Sequence, residues 1–474
     1  MLVMGLGAVM ITLVVGWPQV VSGQRQPVLC VRPDGIGGCY TTIQAAVEAA
    51  IGGDGILIAA ETYTENVVIT KSLTITGGWQ PAGGWPLTET VILPAGNTPC
   101  LLEAQDVNSL TLQNLTLKES TGSGLCATNV EILLLNQLVA EANNESGASI
   151  SNTVGLPHIM VQESIFRNNG SAGLIISCSS FVSTLIGMVT VENSTLTGNG
   201  QAGLAGRFDD CEYNLVDNEI TGNSGTGISA IHDYCDPNPQ VVPYPTMRGN
   251  VLSDNNIGYV VGSGVCGQGI AQFFFEGNTV TTNGVGAVLY NGSYPSLGEL
   301  FADNTGAGIS VQAATWWGNH TTIADNGGPG VEMRKRDQWN DAGCGTPEIE
   351  LVNTIVWDND SSLTDFPVAG CDGLPDYQVS ISYTILANLA IYTGDPLITL
   401  GPGTFDSDPF FVGGGDYHLQ PDSPAIDAGK TVWPEYGWPN HDGNGDCLAR
   451  PDLGAYEAPA VPGICSYLPY IADQ

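Results

Sequence analysis

The feature that most constrains this chain is a repeat that keeps its chemistry while its length varies. Asn193-Ser-Thr-Leu-Thr-Gly-Asn199 is followed by Gly203-Leu204, and Asn218-Glu-Ile-Thr-Gly-Asn223 by Gly227-Ile228. Asn250 and Asn255 precede Gly258-Tyr259, and Asn278 and Asn283 precede Gly286-Ala287. Looser copies end at Asn169, Asn304, Asn326 and Asn359. From Asn169 the second asparagine returns after 30, 24, 32, 28, 21, 22 and 33 residues. A variable period in the twenties, with short alternating strands in each copy, fits a β-solenoid. Leucine-rich repeats need Leu ladders that are missing here, and a propeller blade needs a longer repeat.

The solenoid assigns roles to residue types. Successive coils stack at about 4.8 Å, the strand spacing of a sheet. Ile165, Leu196, Ile220 and Val280 are expected to point inward. Corner residues often need a left-handed backbone, which Asn and Gly tolerate. Asn side chains at equivalent corners can hydrogen-bond from coil to coil. Asn114, Asn144, Asn169, Asn193, Asn291, Asn319 and Asn359 all begin N-x-S/T sequons. Their place at or beside corners makes them structural residues first and glycan acceptors second.

Composition narrows the partners. With 48 acidic against 12 basic residues, the formal charge is −36. Such a field repels phosphate, so nucleic acid is excluded as a partner. The 62 glycines rule out a long-helix protein. A hydrophobic share of 43% rules out an acidic disordered chain.

The ends and the cysteines point to export. Residues 1–21 are almost uninterruptedly apolar and Ser22-Gly23 follows, so residues 1–23 read as a signal peptide despite lacking a basic start. No later stretch is apolar enough to span a bilayer. The 12 cysteines include no C-x-x-C pair, which favours disulfides over a zinc ribbon. Cys30 and Cys39 flank a Gly-rich turn and are placed to staple an N-terminal cap. Cys211, Cys235 and Cys266 each stand eight residues after a repeat glycine. That offset stacks them within disulfide reach, with Cys178 or another cysteine left to pair with the third.

Thr41-Thr-Ile-Gln-Ala-Ala-Val-Glu-Ala-Ala50 has one apolar face and is expected to be the short helix that caps the solenoid. Together with Gly53-Asp54 and Tyr63-Thr-Glu65, it resembles the opening of pectin-lyase-like, right-handed parallel β-helix proteins. A series near the end is more specific: Asn353-Thr-Ile-Val-Trp-Asp-Asn359, Ser382-Tyr-Thr-Ile-Leu386, Asp408-Pro-Phe-Phe411, Asp416-Tyr-His-Leu419, Ser423-Pro-Ala-Ile-Asp-Ala-Gly429 and Asp452-Leu-Gly-Ala-Tyr-Glu457. It resembles secreted bacterial β-helix proteins of the choice-of-anchor Q type. The resemblance implies an all-β, right-handed parallel β-helix that is secreted or attached to a surface. It implies little about chemistry, because the fold hosts lyases, hydrolases, esterases, adhesins and inert stalks. The expected organisation is a signal peptide over 1–23, a capped β-helix over 24–385, a C-terminal cap segment over 386–458, and a Pro-rich linker and tail over 459–474.

Candidate chemistry gathers after the repeat glycines. Arg207, Asp209 and Asp210 follow one corner; His232, Asp233 and Asp236 follow the next. Stacked carboxylates suit Ca²⁺, which takes many oxygen ligands, or an acid and base flanking a glycosidic bond. Arg334-Lys335-Arg336 lies about four coils away, ~19 Å by stacking, too far to serve as base at that site. Tyr234, Tyr290, Tyr294, Trp316, Trp317 and Trp339 also follow corners and would offer flat faces to sugar rings. Asp442-Gly-Asn444-Gly-Asp446 has the oxygen spacing that opens a Ca²⁺ loop but lacks its later Gly and Glu. The expected function is a monomer that binds polysaccharide or matrix glycan through an aromatic and acidic loop face. The alternative is a polysaccharide lyase or glycoside hydrolase.

Overall fold

The computed structural model describes residues 28–80, 89–152, 157–178, 187–208, 211–232, 245–263, 273–335, 345–366, 377–430 and 451–456. These form a parallel β-helix in which each coil contributes one strand to each of three sheets. One coil shows the plan. Gly187–Glu192 lies in sheet I, Thr195–Thr197 in sheet II and Leu204–Phe208 in sheet III, and Cys211–Val216 returns to sheet I one coil on. Each strand pairs in parallel with the equivalent strand of the next coil, as Gly187 with Cys211 and Leu196 with Ile220. Two long strands, Cys100–Lys118 and Ser123–Glu141, each run through all three sheets without a break.

The asparagine repeat is the seam of this stack. At the corner from sheet II to sheet III, Asn143, Asn169, Asn199, Asn223, Asn255, Asn283, Asn304, Asn326 and Asn359 form an unbroken ladder. Each Nδ2 donates to the next Oδ1 at 2.7–3.1 Å. Each of these rungs also satisfies backbone: Asn223 Nδ2 donates to Leu196 O at 3.0 Å, and its Oδ1 accepts from Asn199 N at 3.0 Å. The strand separations of 24 and 32 residues on either side of Asn223 make no difference to these distances. Length variation is absorbed in the connections from sheet III to sheet I.

A second ladder occupies the corner from sheet I to sheet II: Ser164, Ser194, Asn218, Asn250, Asn278 and Glu299. Thus Asn218, Asn250 and Asn278 are rungs, whereas Asn193 sits one place early and Ser194 takes the rung. The left-handed backbone falls on that preceding residue: Asn193 at φ 50°, Asp217 at 53° and Gly249 at 64°. The repeat glycines answer a different need. A Cβ on Gly227 would lie 2.5 Å from Gly258 O and 3.0 Å from Asn255 Nδ2, so close approach between coils, not a positive φ, demands glycine there.

The core is a continuous column of inward side chains. Leu196, Ile220 and Val280 are inside as expected. Ile165 is not: it pairs with Thr195 on the outer face, and Phe166, paired with Leu196, fills the interior. In a strand of three residues the middle one faces in, and Ile165 is first. Towards the C-terminal half the core becomes aromatic. Phe273 stacks on Tyr294 with ring centroids 5.2 Å apart and approaches Tyr213 at 6.1 Å.

Both ends are covered. The helix α1, Ile43–Ala49, buries Ile43, Ala46 and Val47 over the first coil. Cys30 and Cys39 are joined beside it. Cys100–Cys126 and Cys178–Cys211 tie neighbouring coils, with Cα atoms 5.7 and 6.1 Å apart. Cys178 is therefore the partner of Cys211, while Cys235 and Cys266 lie outside the described residues.

The C-terminal segment does more than close the last coil. After Leu389–Tyr392 and the final sheet I strand Ile398–Leu400, the chain turns back along the outer face of sheet II. Its antiparallel hairpin, Phe411–Gly413 with Asp416–Leu419, sets Tyr417 against Leu300, Ala302 and Ala324. Leu419, Ala425 and Leu453 pack on Ile355 and Ile385. Under this strap the outward positions of sheet II are Leu300, Ala302, Thr322, Ala324, Ile355, Trp357 and Ile385. On the coils before it they include Ile165, Thr195, Thr197, Glu219, Thr221, Val251, Ser253, Thr279 and Thr281. The covered face is the more apolar of the two.

Candidate functional site

The loops that join sheet III to sheet I carry most of the acidic candidates. Asp209, Asp210, Asp233, Asp236, Tyr234 and Trp339 lie outside the described residues, as do Asp442, Asn444 and Asp446. Among the described residues no group of three or more His, Cys, Asp or Glu could hold a metal ion. Arg334 is engaged locally: it pairs with Glu332 and stands 4.8 Å from the ring centroid of Phe366.

The aromatic candidates that are described divide by strand parity. Tyr294 and Trp316 are fully buried and Tyr290 nearly so. Tyr294 Oη donates to Tyr290 O at 2.5 Å, and Trp316 Nε1 donates to Ser296 Oγ at 2.8 Å. Gly262 on the preceding coil leaves room for the Tyr290 ring; a Cβ there would sit 2.0 Å from Tyr290 Cζ. These three residues belong to the core and offer no surface to a saccharide. Counting from the repeat glycine placed them near a corner but did not say which side of a strand they occupy. Trp317, next to Trp316, points outward and is 37% exposed.

Trp317 belongs to a column on the outer face of sheet I. The pairing aligns Leu134, Met160, Thr190, Asn214, Thr246 and Phe274. Beyond Phe274 the column continues through Pro295, Trp317, Glu350 and Ser380. Phe274, Pro295 and Trp317 thus form three apolar plates on successive coils, spaced by about 4.8 Å. Two residues along each strand a mixed column runs beside it, through Glu192, Val216, Arg248, Glu276, Leu297, Asn319 and Val352. On the other side Thr315 pairs with Glu348, which shares a strand with Glu350. Reading the alternation of Phe273-Phe274-Phe275 and Trp316-Trp317 would have shown that one aromatic of each run must face out. The acids Glu348 and Glu350 carried no signal beyond an alternating strand.

Glu212, half-buried at the start of Cys211–Val216, has its pKa raised by loss of solvent. Its described pairing partner is Met188. Further along, Thr246 Oγ1 and Asn214 Oδ1 are 2.5 Å apart, and Gln162 donates to Glu192. The face is an open, ribbed surface with an aliphatic end, where Met160 is 39% and Met188 45% exposed, and an aromatic–acidic end.

Comparison with known proteins adds the family context. A family model described as a right handed beta helix region matches residues 100–299 and 182–343, together more than half of the chain. No curated protein sequence matches. Solved structures with the same architecture include the Azotobacter vinelandii mannuronan C-5 epimerase AlgE6 A-module. It is 16% identical, with 77% of this chain and 94% of that chain covered and a TM-score of 0.46. Pectate lyase Pel9A is 12% identical, with 91% and 96% covered and a TM-score of 0.38. The periplasmic alginate epimerase AlgG is 12% identical, with 72% and 83% covered and a TM-score of 0.38.

Proposed function

The chain belongs to the right-handed β-helix region family, and we infer from an interior filled by side chains that its chemistry lies on the outside of the coils. We propose that it is an exported protein that binds polysaccharide along the outer face of sheet I. The observation that carries this reading is the exposed Trp317, aligned with Pro295 and Phe274 on one side and Glu350 on the other. Aromatic faces take the apolar side of a sugar ring while neighbouring carboxylates and amides accept its hydroxyls. Export is supported by the pairing of all six described cysteines. No helix among the described residues is long and apolar enough to cross a membrane. The choice-of-anchor Q resemblance adds a surface-attached setting.

The charge selects among glycans. A polyanionic uronate polymer would meet a protein at −36 whose described outer face of sheet I offers Arg248 against Glu192, Glu212, Glu276, Glu348 and Glu350. A neutral polysaccharide needs no such compensation, and an anionic one would need Ca²⁺ between the two sets of carboxylates.

A hydrolytic reading has one observation in its favour. Glu348 and Glu350 are two residues apart on one strand, about 7 Å, within the spacing of an inverting acid–base pair. Both are exposed, however, and a general acid needs burial to keep its proton at neutral pH. Binding is therefore the better-supported reading.

The test is affinity electrophoresis in gels containing neutral or uronate polysaccharide, with and without Ca²⁺, alongside an assay for new reducing ends. Retardation in neutral gels that Trp317→Ala abolishes supports the proposal. Migration unaffected by any glycan, or release of reducing ends, overturns it.

A further inference from the structure

We propose that the C-terminal strap is latched onto sheet II by a shared proton, so that it is tight in acid and loosens as pH rises. The latch is Tyr417. Its hydroxyl oxygen lies 2.9 Å from Asp303 Oδ2 and 2.9 Å from Asp325 Oδ2, residues on adjacent coils. A phenol carries one hydrogen and can make a full, linear donation to only one of them. The other contact needs a proton on a carboxyl. One coil on, the Asp358 carboxyl adds a further negative charge beside Asp325. Two ionised carboxylates have no hydrogen to place between them.

The fold prevents the three acids from separating. Asp303, Asp325 and Asp358 hold the same left-handed corner on consecutive coils, at φ 54°, 55° and 51°. The coil rise fixes their backbones about 4.8 Å apart. No Lys or Arg pairs with any of them among the described residues. On the strap side, Asp416 is bonded to His418, whose ring stacks on Tyr456, and Lys430 lies over the Tyr383 ring. None of these brings a positive charge between the carboxyls.

The electrostatics agree with the count. Burial, opposed by the Tyr417 bond and reinforced by Asp358 and Asp303, raises the pKa of Asp325. Burial and the two carboxylates drive the Tyr417 hydroxyl far above its ordinary range, so the tyrosine keeps its hydrogen and the titrating proton is a carboxyl's. The sign follows. A carboxyl whose folded pKa is raised contributes its full stabilisation below the ordinary carboxylate range and loses it as pH rises through the folded value. Loss of the latch would expose Leu300, Ala302 and Ala324, the apolar row beneath Tyr417.

Hydrogen exchange on the intact chain tests this. The amides of Leu453 and Gly454 report on the strap, being bonded to Ala425 O and Asn353 O. The ladder amides of Asn304 and Asn326 serve as internal reference and show in the same sample that each variant is folded. Strap protection relative to reference should be about tenfold or more higher at pH 4.5 than at pH 8. Asp325→Asn supplies amide hydrogens in place of the shared proton and should keep acid-level protection at pH 8. Tyr417→Phe should lower protection at both pH values. A wild-type ratio that does not change with pH overturns the proposal. So does a pH dependence that survives in the Asp303→Asn, Asp325→Asn double variant, or protection that follows Ca²⁺ and chelator instead of pH.

Discussion

Glu299 takes the place of an asparagine and accepts from Asn278 twice: its Oε1 receives the Asn278 backbone N–H at 3.0 Å and Nδ2 at 2.9 Å. The carboxyl is fully buried and its second oxygen has no partner among the described residues. Burial outweighs the two Asn278 bonds and pushes its pKa up to about 8. Its folded value is thus above its unfolded one. The stabilisation is whole below about pH 4.5 and is lost progressively as pH climbs to about 8. We expect the denaturation midpoint to fall between pH 5 and pH 9, by roughly 3–5 kcal/mol from this group. Glu299→Gln should remove most of that slope. A variant that titrates as steeply as the wild type would refute the assignment.

The asparagine ladder makes its interior and its end unequal. Asn223→Ala would strand Asn199 N, Asn199 Nδ2 and Leu196 O at once. With three buried partners left open, a loss of about 3–5 kcal/mol is expected by chemical denaturation. Asn359 stands at the last rung and is only part-buried, so Asn359→Ala should cost about 1–2 kcal/mol. Equal losses at the two sites would argue against a ladder whose rungs support one another.

Trp316 and Trp317 separate stability from binding on neighbouring residues. Trp316→Ala removes a fully buried ring and should cost about 3–5 kcal/mol. Trp317→Ala should leave stability within about 0.5 kcal/mol while abolishing retardation in polysaccharide gels. Paired melts and affinity gels check both. A Trp317 variant that binds normally removes the platform from sheet I.

The capping helix is held at both ends by charges from the following coil. Glu65 accepts from Ile43 N at 2.8 Å and Gln44 N at 2.9 Å, the first turn of α1. Lys71 Nζ donates to Val47 O, Glu48 O and Ala50 O at its end. Both signs oppose the helix dipole correctly. Glu65→Ala and Lys71→Met should each cost about 1–2 kcal/mol and increase amide exchange in residues 43–50 before the rest of the chain. Uniform destabilisation across the molecule would show that the cap is not a separate opening unit.

How much was legible follows from what repeats. The Asn169-to-Asn359 ladder could be read because each rung meets the same chemical demand on every coil. So could the helix over Ile43 and Val47, from its apolar face. Side-chain direction was harder. Ile165 and Phe166 differ by one position, and in a strand of three residues one position exchanges core for surface. The same parity hid Tyr294 and Trp316 in the interior. The strap was out of reach for another reason. Tyr417 meets Asp303 across 114 residues, and nothing local to either announces the other. The acidic loops at Asp209 and Asp233 remain a matter of sequence, since the described part of the face is built by other residues.

The strap also sets how the molecule would bear a load. Its last described stretch lies beside the middle of the final coils, with Ala455 N donating to Thr322 Oγ1 at 2.9 Å and Gly454 N to Asn353 O at 2.8 Å. Residues 451–456 are therefore fastened to coils that precede the terminal strand Ile398–Leu400, and parting them from the body means breaking bonds on two coils together.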